Sequence, residues 1–140
     1  MIKISIGEKS VFAELFAEQS PLSAQTLEAA LPLTTKLRSH SNWSGRCSTF
    51  DLPGARELKS LESAVCSLYP GYLALRPDQG VVEIGYDAAE LRSELGREYG
   101  SLVGRLIGDG VDDFLTYLDA MHYTEGDQIL TITSANEETV

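Results

Sequence analysis

The strongest constraint on this chain lies between Ser101 and Ile132, where segments of different period follow one another with glycines at the joints. Ser101-Leu-Val-Gly-Arg-Leu-Ile107 is aliphatic and β-branched around one glycine, which reads as a strand, and Gly108-Asp-Gly110 interrupts it. From there Val111, Phe114, Leu115, Leu118 and Met121 recur at helical spacing and form a single apolar stripe. Asp109 stands where it would cap this helix, and Asp112 and Asp113 put negative charge in its first turn, where the helix dipole favours anions. Gly126 ends it, and Gln128-Ile-Leu-Thr-Ile-Thr133 reads as a closing strand. A one-striped helix between two strands has to lie on a sheet or across the end of a barrel.

The remaining segments supply the strands for such a structure. Ile2, Ile4 and Ile6 alternate with Lys3 and Ser5, Gly7 to Ser10 is turn-like, and Val11 to Ala17 follows, so the chain opens with a hairpin. Ser20-Pro21 gives an N-cap with proline at the first helical position, with Ala24, Leu27, Ala30 and Leu31 on one side and Pro32 as the stop. Lys36, Arg38 and His40 then alternate with Leu37 and Ser39 along an extended run; Asn42-Trp-Ser-Gly45 breaks it, and Arg46 to Leu52 returns. Ala55 to Glu62 reads either as a loop or as a short helical turn, and Ser63 to Leu68 as a strand. Tyr72 to Arg76 and Val81 to Tyr86, joined by Pro77-Asp-Gln-Gly80, form a second hairpin. Ala88 to Tyr99 is polar, with Leu91 and Leu95 at helical spacing, and fits a short surface helix or an ordered excursion. The expectation is one domain over residues 1–140, mainly β with two helices, its roughly eight short strands closed into a barrel.

Charge narrows the function. The chain carries 21 acidic and 11 basic residues, and from Leu106 to Val140 it has no Lys or Arg against eight Asp and Glu, so duplex DNA and long RNA are poor partners. An acidic tail, Asn136 to Val140, fits a solvated surface. No apolar leader precedes the first strand and no segment has the length of a membrane span, so a cytoplasmic protein with no membrane partner is expected. Cys47 and Cys66 then read as a reduced pair, and with only His40 and His122 beside them they make no zinc site at a usual spacing. Gly108-Asp-Gly110 lacks the spacing and lysine of a phosphate loop, and no cofactor is expected.

The order of these elements resembles that of the cyclophilin-like barrel. Gly71-Tyr-Leu-Ala-Leu75 is similar to the cyclophilin segment G-x-L-S-M, and Val103-Gly-Arg-Leu-Ile107 with Gly110 is similar to F-G-x-V-V-x-G before the last helix. Gly126 to Ile132 is similar to the closing G-x-x-I-x-I strand, and Ser23 to Leu31 matches the helix written T-x-x-N-F. The resemblance implies a fold and, for an isomerase, a peptide groove marked by F-H-R-x-x-x-x-F and Q-G-G. Leu37 to Arg46 has neither pattern, and the tryptophan and histidine expected near Gly96 to Gly100 are absent. In this respect the chain resembles small bacterial cyclophilin-like proteins, which keep the barrel, lose the isomerase residues and have no established activity.

One place stands out as a candidate site. Lys36, Arg38, His40 and Arg46 invert the local sign of an acidic chain within eleven positions, enough to concentrate a small anion. Arg38 and Arg46 suit a carboxylate or phosphate, Trp43 offers a flat apolar wall, and Gly45 lets the backbone approach a ligand. Ser44 with His40 is an incomplete nucleophile and base. Tyr69, Tyr72 and Tyr86 stand on the hairpin that would face this mouth in the cyclophilin-like arrangement. His122, just after the last helix, reads as a cap, and Arg105, sharing a strand face with Val103 and Ile107, would need Glu83 or Asp51 if it points inward. Three functions follow: binding of a small anionic metabolite at this mouth, residual prolyl isomerisation or peptide binding with Arg38 or Arg46 as the cation, and a structural role in a homo-oligomer with Trp43 and the tyrosines in the interface.

Overall fold

The computed structural model describes residues 1–136, so the acidic tail expectation lies outside the described residues beyond Asn136. Eight antiparallel strands close into a barrel. They are β1 (Ile2–Ile6), β2 (Lys9–Leu15), β3 (Leu33–Arg38), β4 (Cys47–Asp51), β7 (Tyr72–Arg76), β8 (Val81–Gly85), β12 (Gly100–Ile107) and β13 (Gln128–Ser134). Around the barrel the order is β2, β1, β13, β3, β4, β8, β7, β12, and β12 pairs back onto β2 from Gly104↔Leu15 to Ile107↔Phe12. Closure pairs the two strands that would otherwise be the edges of this ring.

The alternation read from the sequence has an inside. Ile2, Ile4, Ile6, Val11, Leu37, Phe50, Leu73, Leu75, Val82, Ile84, Leu130 and Ile132 meet in one core. Helix α1 (Pro21–Ala29) adds Ala24 and Leu27 from the end where β4 finishes, with Thr26 against Gly54. The expected stripe of α2 (Val111–Thr124) adds Phe114, Leu118 and Met121 at the other end, with Val111 and Leu115 half-buried beside them. No helix among the described residues is long and apolar enough to cross a membrane.

Both expected helix caps are replaced. The cap position of α2 is Gly110, and Asp109 makes no capping bond. Ser20 does occupy the cap position of α1, but its hydroxyl donates to the carbonyl of Leu102 at 2.8 Å. The Glu62 carboxylate caps α1 instead, accepting from the Ser23 N–H at 2.7 Å, the Ser23 hydroxyl at 2.8 Å and the Leu22 N–H at 3.2 Å. Burial acts to raise the Glu62 pKa, and these bonds together hold it below its ordinary value.

Two further expectations change. A bulge in β12 sets Leu102 opposite Ala74 and Gly104 opposite Leu73, which leaves Val103 as an extra residue and reverses the strand's facing beyond it. Val103 and Leu106 therefore point inward, while Arg105 lies outside and pairs with Glu14 on β2, not with Glu83 or Asp51. The excursion is also not a helix. Ala89–Glu90 (β9) pairs with β6 (Ser67–Leu68), Arg92–Ser93 (β10) pairs with β11 (Gly96–Arg97), and β5 (Ala64–Val65) pairs with β12. Leu91 is buried with Cys47, Leu68 and Ala74 in a second small core outside the barrel wall, whereas Leu95 at the hairpin tip is 90% exposed. Beneath this layer the carboxylate of Glu83 and the guanidinium of Arg76 are buried together, 3.6 Å apart. Residues 55–57, within the segment left open between loop and helical turn, form one 3₁₀ turn.

Candidate ligand-binding site at one barrel mouth

At the α2 end the barrel rim is made by the residues that follow β3, precede β4 and follow β8. Ser41 and Gly45 exchange backbone bonds at 3.3 Å, and Ser41 Oγ accepts the Ser44 N–H at 3.0 Å, so Asn42-Trp-Ser is folded into a tight loop. Gly45 closes it at φ +84°, a region where side chains are strained. Ser44 Oγ accepts the Arg92 N–H at 2.9 Å, fastening the loop to β10; His40 is bonded elsewhere, so the serine has no base. Trp43 stands 57% exposed on this loop.

The imidazole of His40 reaches across the rim, its Nδ1 2.7 Å from the Tyr86 hydroxyl, and stacks on His122 with ring centroids 4.3 Å apart. His122 is thus within α2 and is a rim residue, not a cap beyond the helix. Tyr123 meets the outer side of His122 edge-on at 4.8 Å. Arg46 completes the cluster by bridging Asp87, after β8, and Asp119 on α2, the second at 3.4 Å. Each of these three charged side chains is about half exposed.

Of the expected cationic rim, Lys36, Arg38 and Arg46 are each matched by a carboxylate. Lys36 pairs with Asp127 at 3.3 Å and Arg38 with Asp51 at 3.3 Å, both on the outer surface, so neither joins His40 at the mouth. Of the three tyrosines expected there only Tyr86 reaches it; Tyr69 is exposed, and Tyr72 faces outward toward Phe16. The sequence reading missed Asp87, Asp119 and Tyr123. Asp119 and His122 are three residues apart on a helix, which places them on one face, and Asp87 follows Tyr86 directly; those spacings were the available signals.

Burial, the neighbouring His122 and then Arg46 lower the proton affinity of His40 below the ordinary imidazole value of 6.5. Burial first, then Asp119, raises the Tyr86 hydroxyl to about 12, so it remains a phenol at neutral pH. Because the folded protein holds the His40 proton less tightly than the unfolded chain does, stability falls as pH drops through about 6.5 and stops falling below the depressed value. His122→Gln is expected to move the His40 midpoint, followed by NMR, upward toward 6.5; an unchanged midpoint would show that the stacked ring does not contribute.

By sequence, no family model and no curated protein matches the chain. Solved structures do resemble it in shape. McbB, determined in complex with tryptophan, is 17% identical with a TM-score of 0.78, over 98% of this chain and 45% of that one. The chain thus spans less than half the length of McbB. The hypothetical protein AF2241 from Archaeoglobus fulgidus, determined in solution, is 13% identical with a TM-score of 0.61, over 96% of this chain and 93% of that one. At such low identity these likenesses establish the architecture: the chain is a mainly β protein with two helices, built as a closed eight-stranded antiparallel barrel.

Proposed function

We propose that this chain belongs to the cyclophilin-like barrel superfamily and binds a small carboxylate-bearing molecule at the mouth formed by His40, Arg46, Tyr86, Asp87, Asp119 and His122. Arg46 is the observation that carries the reading. Its half-exposed guanidinium lies between carboxylates from two different walls, next to a pair of imidazoles. A guanidinium takes a carboxylate in a two-pronged bond. A bare anion would displace Asp87 or Asp119 and leave that carboxylate without its cation. A ligand that also carries an ammonium returns a partner to the displaced aspartate, so an amino acid fits better than a simple acid. Trp43 and Tyr123, exposed on the two sides of the rim, supply apolar surface for a side chain. Tryptophan bound to McbB supports the reading by analogy of fold. Arg38 and Arg46 are both engaged by carboxylates, so neither supports the isomerase reading, which needs a free cation near a prolyl nitrogen.

Thermal unfolding with free amino acids, their N-acetyl derivatives and the matching amines tests this. At about a hundredfold excess over Kd, a bound amino acid should add about 2.7 kcal/mol of stability. The derivatives should add less, and Arg46→Ala should remove most of the effect. Stabilisation by none of the amino acids, or stabilisation retained by Arg46→Ala, overturns the proposal.

A further inference from the structure

A groove of about 430 Å³ lies near the opposite end of the barrel, between the segment after the 3₁₀ turn, the β7–β8 turn and the residues just before β12. Its apolar lining comes from Leu58, Leu61, Pro77 and Tyr99. Leu61 and Tyr99 are 40% and 50% exposed, so folding has left this apolar surface uncovered.

The charges around it are unequal in availability. Among the described residues, nine of the eleven Lys and Arg side chains are engaged: eight by carboxylates, and Arg56 by the carbonyls of Asp78 and Gln79 at 2.9 Å. Lys3 and Lys59 are the two without such a partner, and Lys59 is on this groove. The acids on the same wall have partners of their own. Glu98 accepts the Ser93 hydroxyl at 2.6 Å, and Asp78 lies 4.0 Å from the buried Arg76 guanidinium. In an acidic protein that pairs nearly every cation, a free ammonium over uncovered apolar surface lacks its complement, a negative group attached to an apolar body.

We propose that this groove is a second ligand site, separate from the mouth, that takes a small amphipathic carboxylate, with Lys59 paired to the carboxylate and Leu61 and Tyr99 against the apolar part. The acid group and the hydrocarbon are both required, since the pairing of one partly exposed ammonium is weak by itself.

An NMR titration of the intact protein with hexanoate, 1-hexanol and hexylamine tests it. Hexanoate should give saturable shifts at Leu58 to Leu61, Asp78, Glu98 and Tyr99. The alcohol should bind more weakly and the amine weakest. Lys59→Gln, a change at an exposed position that leaves the core intact, should weaken hexanoate about fivefold. Arg46→Ala should leave these shifts unchanged, which separates this site from the mouth. Equal response to the three probes, shifts confined to the mouth, no saturable shifts up to the solubility limit, or full hexanoate affinity in Lys59→Gln would each overturn the proposal.

Discussion

Arg76→Met is expected to destabilise the protein by about 3–5 kcal/mol at pH 8, because it leaves the Glu83 carboxylate buried without its cation. Arg76 is 1% exposed, and its stem is so closely packed that a Cβ added to Gly100 would approach its Cγ to 3.2 Å. The guanidinium lies 3.6 Å from the Glu83 carboxylate, while Nε and Nη2 of Arg76 and Oε2 of Glu83 have no hydrogen-bond partner within the protein. Burial already raises the proton affinity of Glu83, opposed chiefly by the charge of Arg76. Without Arg76 that opposition weakens, and the folded carboxyl moves further above its unfolded value. A group so shifted contributes stability below its unfolded pKa and loses it as pH rises through the folded one. The penalty in Arg76→Met should therefore be smaller at pH 5 than at pH 8, a difference urea unfolding at the two pH values would reveal. Arg76→Met with Glu83→Leu should recover most of the loss, because a buried pair replaced by apolar groups of similar size is often neutral. If Arg76→Met alone unfolds within 1 kcal/mol of the parent at pH 8, burial of an uncompensated charge is the wrong account.

Gly104→Ala should cost about 3 kcal/mol for a different reason, the closeness of two backbones at the barrel's closing seam. A Cβ at this position would lie 2.5 Å from the carbonyl oxygen of Glu14 and 3.2 Å from Leu15 Cδ2. The carbonyl belongs to the backbone of β2, so relief requires a shift of the strand rather than of a flexible side chain. Gly104 pairs with Leu15 on one side and Leu73 on the other, next to the bulge, so the shift would strain both ladders. Amide exchange should quicken first in β2 and β12. Protection equal to the parent's in both strands, with unchanged stability, would show that the seam yields more easily than its geometry indicates.

The sequence was informative wherever a property depends on neighbours a few residues away. Alternation in Ile2, Ile4 and Ile6, the stripe on α2 and the Pro77-to-Gly80 turn each specify a local period, and each element formed where that period required. With enough such segments, burying every apolar face leaves few arrangements, which is why the closed barrel could be read before its pairings were known. Local period failed at Ala88 to Tyr99, where two leucines four apart resembled a helix face. Leu91 found a separate core beneath it while Leu95 found none, and the chain followed the strands that could pair.

Charge partners are local in a few places, such as Arg92 with Glu90, but not at the mouth. The basic run from Lys36 to Arg46 is a reversal of sign in the sequence, yet what Arg46 faces was decided by segments far along the chain, residues 41 and 73 positions away. Strand order, the bulge that turned Arg105 outward, and the stacking of His40 on a helix turn contributed from the far end of the sequence were likewise set only by the folded barrel. The amino-acid order thus determined which segments are strands and helices and which faces they bury, because those depend on period. Which charges neutralise one another at the rim, and which side chains share the mouth, depended on three-dimensional distance and was settled by the tertiary structure alone.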